Sequence, residues 1–103
     1  MEQLQPYLAA QLPRYLDDLR TLVSIDSGSD HKAGVDAVVD WLIARLSTLG
    51  FTIERHPQPV LGDNVRATLR GQGTQRILLL GHSDTVFPVG TAAQRPMQMA
   101  GPK

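Results

Sequence analysis

The fold is indicated by one stretch of the chain, Ile77-Leu78-Leu79-Leu80-Gly81-His82-Ser83-Asp84-Thr85-Val86, in which four aliphatic residues lead directly into a polar cluster. The aliphatic run does not alternate with polar residues, and a strand that is apolar on both sides is one covered on both faces. Such a run is typical of a central strand in an α/β sheet. The polar cluster would then stand at the carboxyl end of that strand, where open α/β sheets bind their ligands.

Other strands are predicted on both sides of this stretch. Residues 51–56 alternate in character up to Pro57, and residues 65–70 alternate again, which is the period of a half-buried strand. Turn residues 71–74 separate the second of these segments from the aliphatic run, so we expect the last two strands to pair as a β-hairpin. Met97 with Met99 predicts the start of a further strand.

Two helices are predicted ahead of the strands. Apolar residues recur at three- and four-residue steps from Leu4 to Val23 and from Val35 to Leu49, which is the period of an amphipathic helix. Pro13 predicts a kink, or a division into two helices with Pro13 in the first turn of the second. Gly50 is placed to end the later helix, and residues 26–30 supply N-cap candidates for it. The pattern predicts an α/β protein with an incomplete sheet, because two helices can cover only one face.

His82 and Asp84 are the candidate functional residues. Side chains two positions apart on a strand project from the same face, so these two can act together while Ser83 points away. A metal-bound imidazole usually donates its other N–H to a carboxylate, and His-x-Asp supplies both groups. The spacing alone also fits a hydrogen-bonded structural pair. A serine-hydrolase triad is disfavoured, because Ser83 faces away and no Gly-x-Ser-x-Gly elbow is present.

The remaining histidines and the paired aspartates have simpler interpretations. His31 precedes a helix and His56 ends a strand, and neither has a carboxylate at the spacing of a metal ligand pair, so both are expected on the solvated surface. Asp17 and Asp18 diverge around a helix and are expected to form a solvated face.

The stretch from Ile77 to Val86 resembles the first zinc-ligand motif of the M20 metallopeptidases, the carboxypeptidase and aminoacylase family, in which an apolar strand runs into [Gly/Ser]-His-x-Asp-Thr-Val. Leu22–Ser27 is similar to the end of the family's first helix. Leu46–Phe51 is similar to its helix-to-strand junction, and Gly62-Asp63-Asn64 precedes its second strand. The resemblance covers the whole chain and is strongest to the glutamate-carboxypeptidase branch.

The resemblance implies a fold, a cofactor and roles for the two site residues. Residues 1–103 would form the N-terminal portion of a three-layer α/β/α catalytic domain, without the rest of that domain or the dimerisation and lid domain. His82 would bind one of two zinc ions, and Asp84 would support catalysis by holding the imidazole. The parent protein would be a homodimer that hydrolyses an amide or peptide bond next to a free carboxylate, in a small peptide or an N-acyl amino acid.

Most of the family's machinery lies outside this sequence. The chain has no cysteine, so any metal ligand must be His, Asp or Glu. Its two glutamates are Glu2 in the N-terminus and Glu54 on the solvent side of a strand, and neither suits a general base. One ligand cannot hold zinc tightly, so the 103-residue chain alone is expected to be inactive, to bind metal weakly and to aggregate or need a partner.

Composition limits the other classes of partner. Ten basic and ten acidic residues cancel without forming runs, which predicts no nucleic-acid partner and no membrane surface. The N-terminus lacks a basic region followed by an apolar core, and the longest aliphatic run is too short to span a bilayer. A cytoplasmic location is therefore expected.

Two further functions are consistent with the residues. In the first, the chain is a non-catalytic structural or interaction module that retains the fold, with His82 and Asp84 serving only as a hydrogen-bonded pair. In the second, it is a mononuclear metal hydrolase on a different α/β fold, an alternative that only His82 supports.

Overall fold

The computed structural model describes residues 3–100. The chain forms α1 (Leu4–Ala10), α2 (Leu12–Val23), α3 (Lys32–Thr48), β1 (Thr52–His56), β2 (Asn64–Thr68) and α4 (Thr91–Gln94). Helices followed by a partial sheet confirm the predicted α/β class. No helix in the described part is long and apolar enough to cross a membrane.

The first predicted helix is divided in two, and Pro13 lies at the start of α2. A proline is tolerated there because the first N–H groups of a helix have no intrahelical partner. Neither α1 nor α2 has a buried residue. The helix α2 is tied to α3 by Asp18, which accepts both guanidinium N–H groups of Arg45, one of them at 2.8 Å. The prediction of a solvated face was therefore wrong for Asp18, because a cation on a distant helix meets it.

The helix α3 carries the core of the described chain. Its buried apolar residues are Val35, Val38 and Val39, and it packs against both strands. The helix ends as predicted at Gly50, whose φ of 92° is left-handed. Gly50 N–H donates to Ser47 O and Phe51 N–H to Leu46 O, each at 3.1 Å, which is the Schellman arrangement.

The start of α3 differs from the prediction. Its N-cap residue is His31, which makes no side-chain capping hydrogen bond. None of the candidates at 26–30 caps the helix. Two of them bind distant residues instead: Ser29 binds Asp84 of the His-x-Asp motif, and Asp26 binds the segment that follows the motif.

The two strands form an antiparallel pair in which Ile53 faces Ala67 and Arg55 faces Val65. Burial alternates along both strands, with every second residue half-buried, as the period of two predicts. Glu54 lies on the exposed side, as expected.

The loop between the strands is organised by Asp63, whose side chain is 9% exposed. Its Oδ1 accepts from Lys32 Nζ at 2.8 Å and from Gln58 N–H at 2.9 Å, and its Oδ2 accepts from Arg55 Nε at 2.8 Å. Asp63 N–H donates to Asp36 Oδ1 at 2.8 Å. These donors, led by Lys32, hold the pKa of Asp63 well below its usual value.

The predicted hairpin between residues 65–70 and the aliphatic run is not formed. The strand β2 pairs with β1, and Ile77–Leu80 has no strand structure, with side chains 78–89% exposed. A strand that is apolar on both sides requires cover on both faces. No element within residues 3–100 covers the aliphatic run on either face.

The further strand predicted at Met97 and Met99 is not formed within residues 97–100. Glu2 and residues 101–103 lie outside the described residues.

Candidate functional site

The His-x-Asp pair is formed by residues that follow the aliphatic run. His82 Nδ1 lies 3.1 Å from Asp84 Oδ1 and 3.0 Å from the Asp84 carbonyl oxygen. The imidazole is 82% exposed and the Asp84 side chain 41% exposed. The predicted contact is therefore present although residues 82–84 do not form the strand from which it was inferred. Ser83 takes no part in the hydrogen bonding of this pair within the described chain.

The partners of Nδ1 determine which ring nitrogen carries the proton. The Ser29 hydroxyl, ahead of the His82 ring, holds the pKa of Asp84 below its usual value, so the carboxylate is ionised at neutral pH. An ionised carboxylate and a carbonyl oxygen can only accept hydrogen bonds. A His82 ring in its neutral form therefore donates from Nδ1, and its Nε2 lone pair belongs to a side chain that is 82% exposed.

A loop far away in sequence supports Asp84 from the other side. Ser29 Oγ donates to Asp84 Oδ2 at 2.5 Å across a sequence separation of 55 residues. Ser29 N–H donates to Thr85 O at 3.1 Å, and Thr85 N–H donates to Ser27 O at 2.8 Å. This short parallel bridge joins the loop before α3 to the motif.

Gly28 is required by this close approach. A Cβ at Gly28 would lie 2.6 Å from the carbonyl oxygen of Phe87, a distance that real Cβ atoms do not tolerate. Only glycine lets the two backbones come this close.

Asp26 fixes the loop that follows the motif. Its Oδ2 accepts Gly90 N–H at 3.0 Å and its Oδ1 accepts Ala92 N–H at 2.9 Å. These two backbone donors, Ala92 first, hold the pKa of Asp26 below its usual value. The carboxylate thereby satisfies N–H groups at the start of the short helix α4, which has no other cap.

The pair lies between two open hollows. One is walled by apolar residues of α2 and α3, including Leu22 and Leu42, and is bounded by Arg95. The other extends toward Asp63 and β2, along the space left beside the unpaired strand edge. A group bound to His82 Nε2 would therefore be accessible to solvent through these hollows.

The other histidines stand apart from this pair. His56 is 53% exposed and lies 3.3 Å from Glu54 Oε2, so it does have a carboxylate neighbour, contrary to the prediction. Its exposure confirms the surface position. His31 is half-buried rather than fully solvated, because it caps α3 against the loop that contains Asp26 and Ser29.

Comparison with known sequences finds relatives that match most of this chain. Over 93 residues the chain is 36% identical to carboxypeptidase G2 of Pseudomonas sp. (strain RS-16), an alignment that takes in 88% of this chain and 22% of the relative. Over 96 residues it is 38% identical to the acetylornithine deacetylase of Proteus mirabilis (strain HI4320), with 86% of this chain and 24% of the relative aligned. An acetylornithine deacetylase of Photorhabdus laumondii is 37% identical over a similar length. No protein-family model matches the chain.

These relatives are members of the M20 family of metallopeptidases, and this chain is similar to them over most of its own length. It spans about a quarter of the length of these curated relatives. The roles of His82 as a metal ligand and of Asp84 as its catalytic support remain predictions.

The donor chemistry of the pair is that of a single metal ligand. A neutral imidazole with one nitrogen bound to a carboxylate and the other exposed is the usual form of a zinc-binding histidine. Within residues 3–100, no three His, Cys, Asp or Glu side chains are placed together to hold a metal ion. The described residues therefore fit one metal ligand and not a complete site.

Sequence reasoning missed two residues of this site, Ser29 and Asp26. Both were interpreted as helix caps, because Ser and Asp before an apolar period are the standard N-cap residues. Their contacts lie 55–66 positions away. The density of polar and glycine residues from 26 to 30 was the available signal that this segment does more than begin a helix.

Proposed function

We propose that residues 1–103 are the N-terminal portion of the catalytic domain of a zinc-dependent hydrolase. The proposed reaction is cleavage of an amide or peptide bond next to a free carboxylate, in a small peptide or an N-acyl amino acid. The observation that carries the proposal is the His82–Asp84 pair, in which Nδ1 is bound and Nε2 is exposed. Similarity to known proteins supports it, since the relatives bear the names of a carboxypeptidase and a deacetylase.

In this proposal His82 holds one of two zinc ions through Nε2. Zinc, when bound, polarises a carbonyl and lowers the pKa of a water molecule. Asp84 keeps the proton on Nδ1 and holds the ring in place, so that the lone pair of Nε2 stays directed outward. The other ligands must come from outside residues 3–100, because no three metal-ligating side chains are placed together within them. The general base must also come from outside, because Glu54 is exposed on β1.

We propose a homodimeric parent protein in the cytoplasm, with neither nucleic acid nor membrane as a partner. The 103-residue chain by itself is proposed to be inactive and to bind zinc weakly, since stable zinc sites use three or four protein ligands.

The test compares His82→Ala with His56→Ala in the full-length protein. Hydrolysis would be followed on a panel of dipeptides and N-acetyl amino acids, before and after treatment with a chelator and after zinc is restored. We expect His82→Ala to abolish hydrolysis and the chelator to do so reversibly. His56→Ala should retain activity, because that ring lies on the surface beside Glu54.

The second candidate is a non-catalytic module in which the pair is structural. It is favoured by the absence of any group of three metal-ligand side chains within residues 3–100. On this hypothesis the wild-type protein hydrolyses nothing on the panel, zinc changes nothing, and His82→Ala leaves partner binding intact.

A further inference from the structure

Ser29 is placed to act on the His82–Asp84 pair although it lies 55 residues from Asp84 in the sequence. Its backbone is held by the N–H bond to Thr85 O at 3.1 Å and by the parallel bridge at Gly28. Its hydroxyl donates to Asp84 Oδ2 at 2.5 Å, and within residues 3–100 its one other acceptor, Thr85 O, is farther at 3.3 Å. These backbone contacts thus place the hydroxyl beside the carboxylate.

The two oxygens of Asp84 have separate partners. Oδ2 accepts from Ser29, and Oδ1 accepts from His82 Nδ1 at 3.1 Å. The imidazole is 82% exposed and the Asp84 side chain 41% exposed, so packing leaves the ring free and covers the carboxylate only in part. The hydroxyl of Ser29 therefore helps to stop the carboxylate from turning its Oδ1 away from the ring.

We propose that Ser29 is a positioning residue for the metal-binding histidine. Acting through Asp84, it fixes the proton on His82 Nδ1 and keeps Nε2 available as a ligand. The inference rests on the proposed function, in which Nε2 binds zinc. Ser29 itself touches neither metal nor substrate, and its hydroxyl remains a hydrogen-bond donor throughout.

Removal of the Ser29 hydroxyl is expected to change the tautomer ratio of His82 only in part, because Nδ1 has a second hydrogen-bond acceptor. The Asp84 carbonyl oxygen lies 3.0 Å from Nδ1 and keeps part of the bias when the carboxylate is free to rotate. Removal of the Ser29 hydroxyl should therefore lower the ratio of Nδ1–H to Nε2–H tautomers by about fivefold, the effect of one net hydrogen bond.

The experiment measures the tautomer of His82 without metal. The metal-free full-length protein is labelled with ¹⁵N at histidine, and long-range ¹H–¹⁵N correlation spectra are recorded at about pH 8, where an ordinary imidazole is neutral. The His82 ring is assigned by its loss in His82→Ala. Spectra are compared for wild type, Ser29→Ala and Ser29→Thr, with Ser24→Ala as the control, because the Ser24 hydroxyl bonds only within its own helix, to Arg20 O.

We expect Ser29→Ala to lower the tautomer ratio, Ser29→Thr to restore it through its hydroxyl, and Ser24→Ala to match wild type. Ser29→Cys keeps the size of the side chain but donates weakly, so it should resemble Ser29→Ala even if the alanine variant unfolds. A wild-type ratio in both Ser29→Ala and Ser29→Cys would overturn the inference, as would a Ser29→Thr variant no different from the alanine variant.

Its failure is distinguishable from failure of the proposed function. A changed ratio in Asp84→Asn with no change in the serine variants would reject the role of Ser29 and leave the metal role of His82 standing. Conversely, a shifted ratio in Ser29→Ala together with full hydrolysis by full-length His82→Ala would support the hydrogen-bond chain and reject the metal role.

Discussion

Replacement of Gly34 by alanine sets helix propensity against tertiary packing. Gly34 is buried in the first turn of α3. A Cβ at this position would lie 1.7 Å from the carbonyl oxygen of Asp26 and 2.5 Å from Cδ2 of His31. Intrinsic propensity favours alanine over glycine inside a helix by about 1 kcal/mol. Propensity alone thus predicts that the variant is more stable, whereas the contact with Asp26 predicts the opposite.

The loss of stability in Gly34→Ala depends on which atoms must move to make room for the new Cβ. The nearest atom belongs to the backbone of Asp26, so the clash cannot be relieved by a rotamer change. Overpacking costs about 1–3 kcal/mol and more where the obstacle is rigid. We take about 3 kcal/mol and subtract the gain of about 1 kcal/mol in helix propensity. The net loss is about 2 kcal/mol, which corresponds to a fall in Tm of roughly 8–16 °C for a domain of this size.

Thermal unfolding followed by circular dichroism compares wild type, Gly34→Ala and the neighbouring Ala33→Gly. Ala33 is exposed, so its variant reports the propensity effect alone, a loss of about 1 kcal/mol. The displaced Asp26 should also release Gly90 N–H and Ala92 N–H, whose hydrogen exchange would accelerate. A Tm for Gly34→Ala equal to or above that of wild type would refute the packing argument.

Three further predictions concern the core, the Asp63 network and the site. Val39 is 2% exposed, so Val39→Ala should cost about 2 kcal/mol in urea unfolding, and a loss below about 0.5 kcal/mol would contradict its place in the core. Lys32, with Arg55, lowers the pKa of Asp63 from 3.8. This contribution to stability is therefore present above pH 3.8 and lost as the pH falls below it. Asp63→Asn should be less stable at neutral pH and lose less on acidification; parallel urea midpoints from about pH 7 to 2 would exclude this role. On the proposed function, Asp84→Asn in the full-length protein should lower zinc affinity or activity by about 10- to 100-fold in metal titrations and rate assays, and an unchanged enzyme would argue against it.

The elements that the sequence predicted are those specified by local physics. The helix α3 and its end at Gly50 follow from a period of apolar residues and from one residue that tolerates positive φ. The strands β1 and β2 follow from a period of two. The His82–Asp84 contact follows from a spacing of two residues, so it could be predicted without knowledge of any distant segment.

Tertiary structure alone decided which segments meet. A period of two does not say which strand lies next to which, and the structure pairs β2 with β1 and leaves the aliphatic run unpaired. The caps predicted at Asp26 and Ser29 became supports of the site, because the same side-chain oxygens serve a helix start or a distant loop equally well. A sequence pattern specifies the conformation a segment prefers, but the choice of partner depends on contacts with segments that are distant in the sequence.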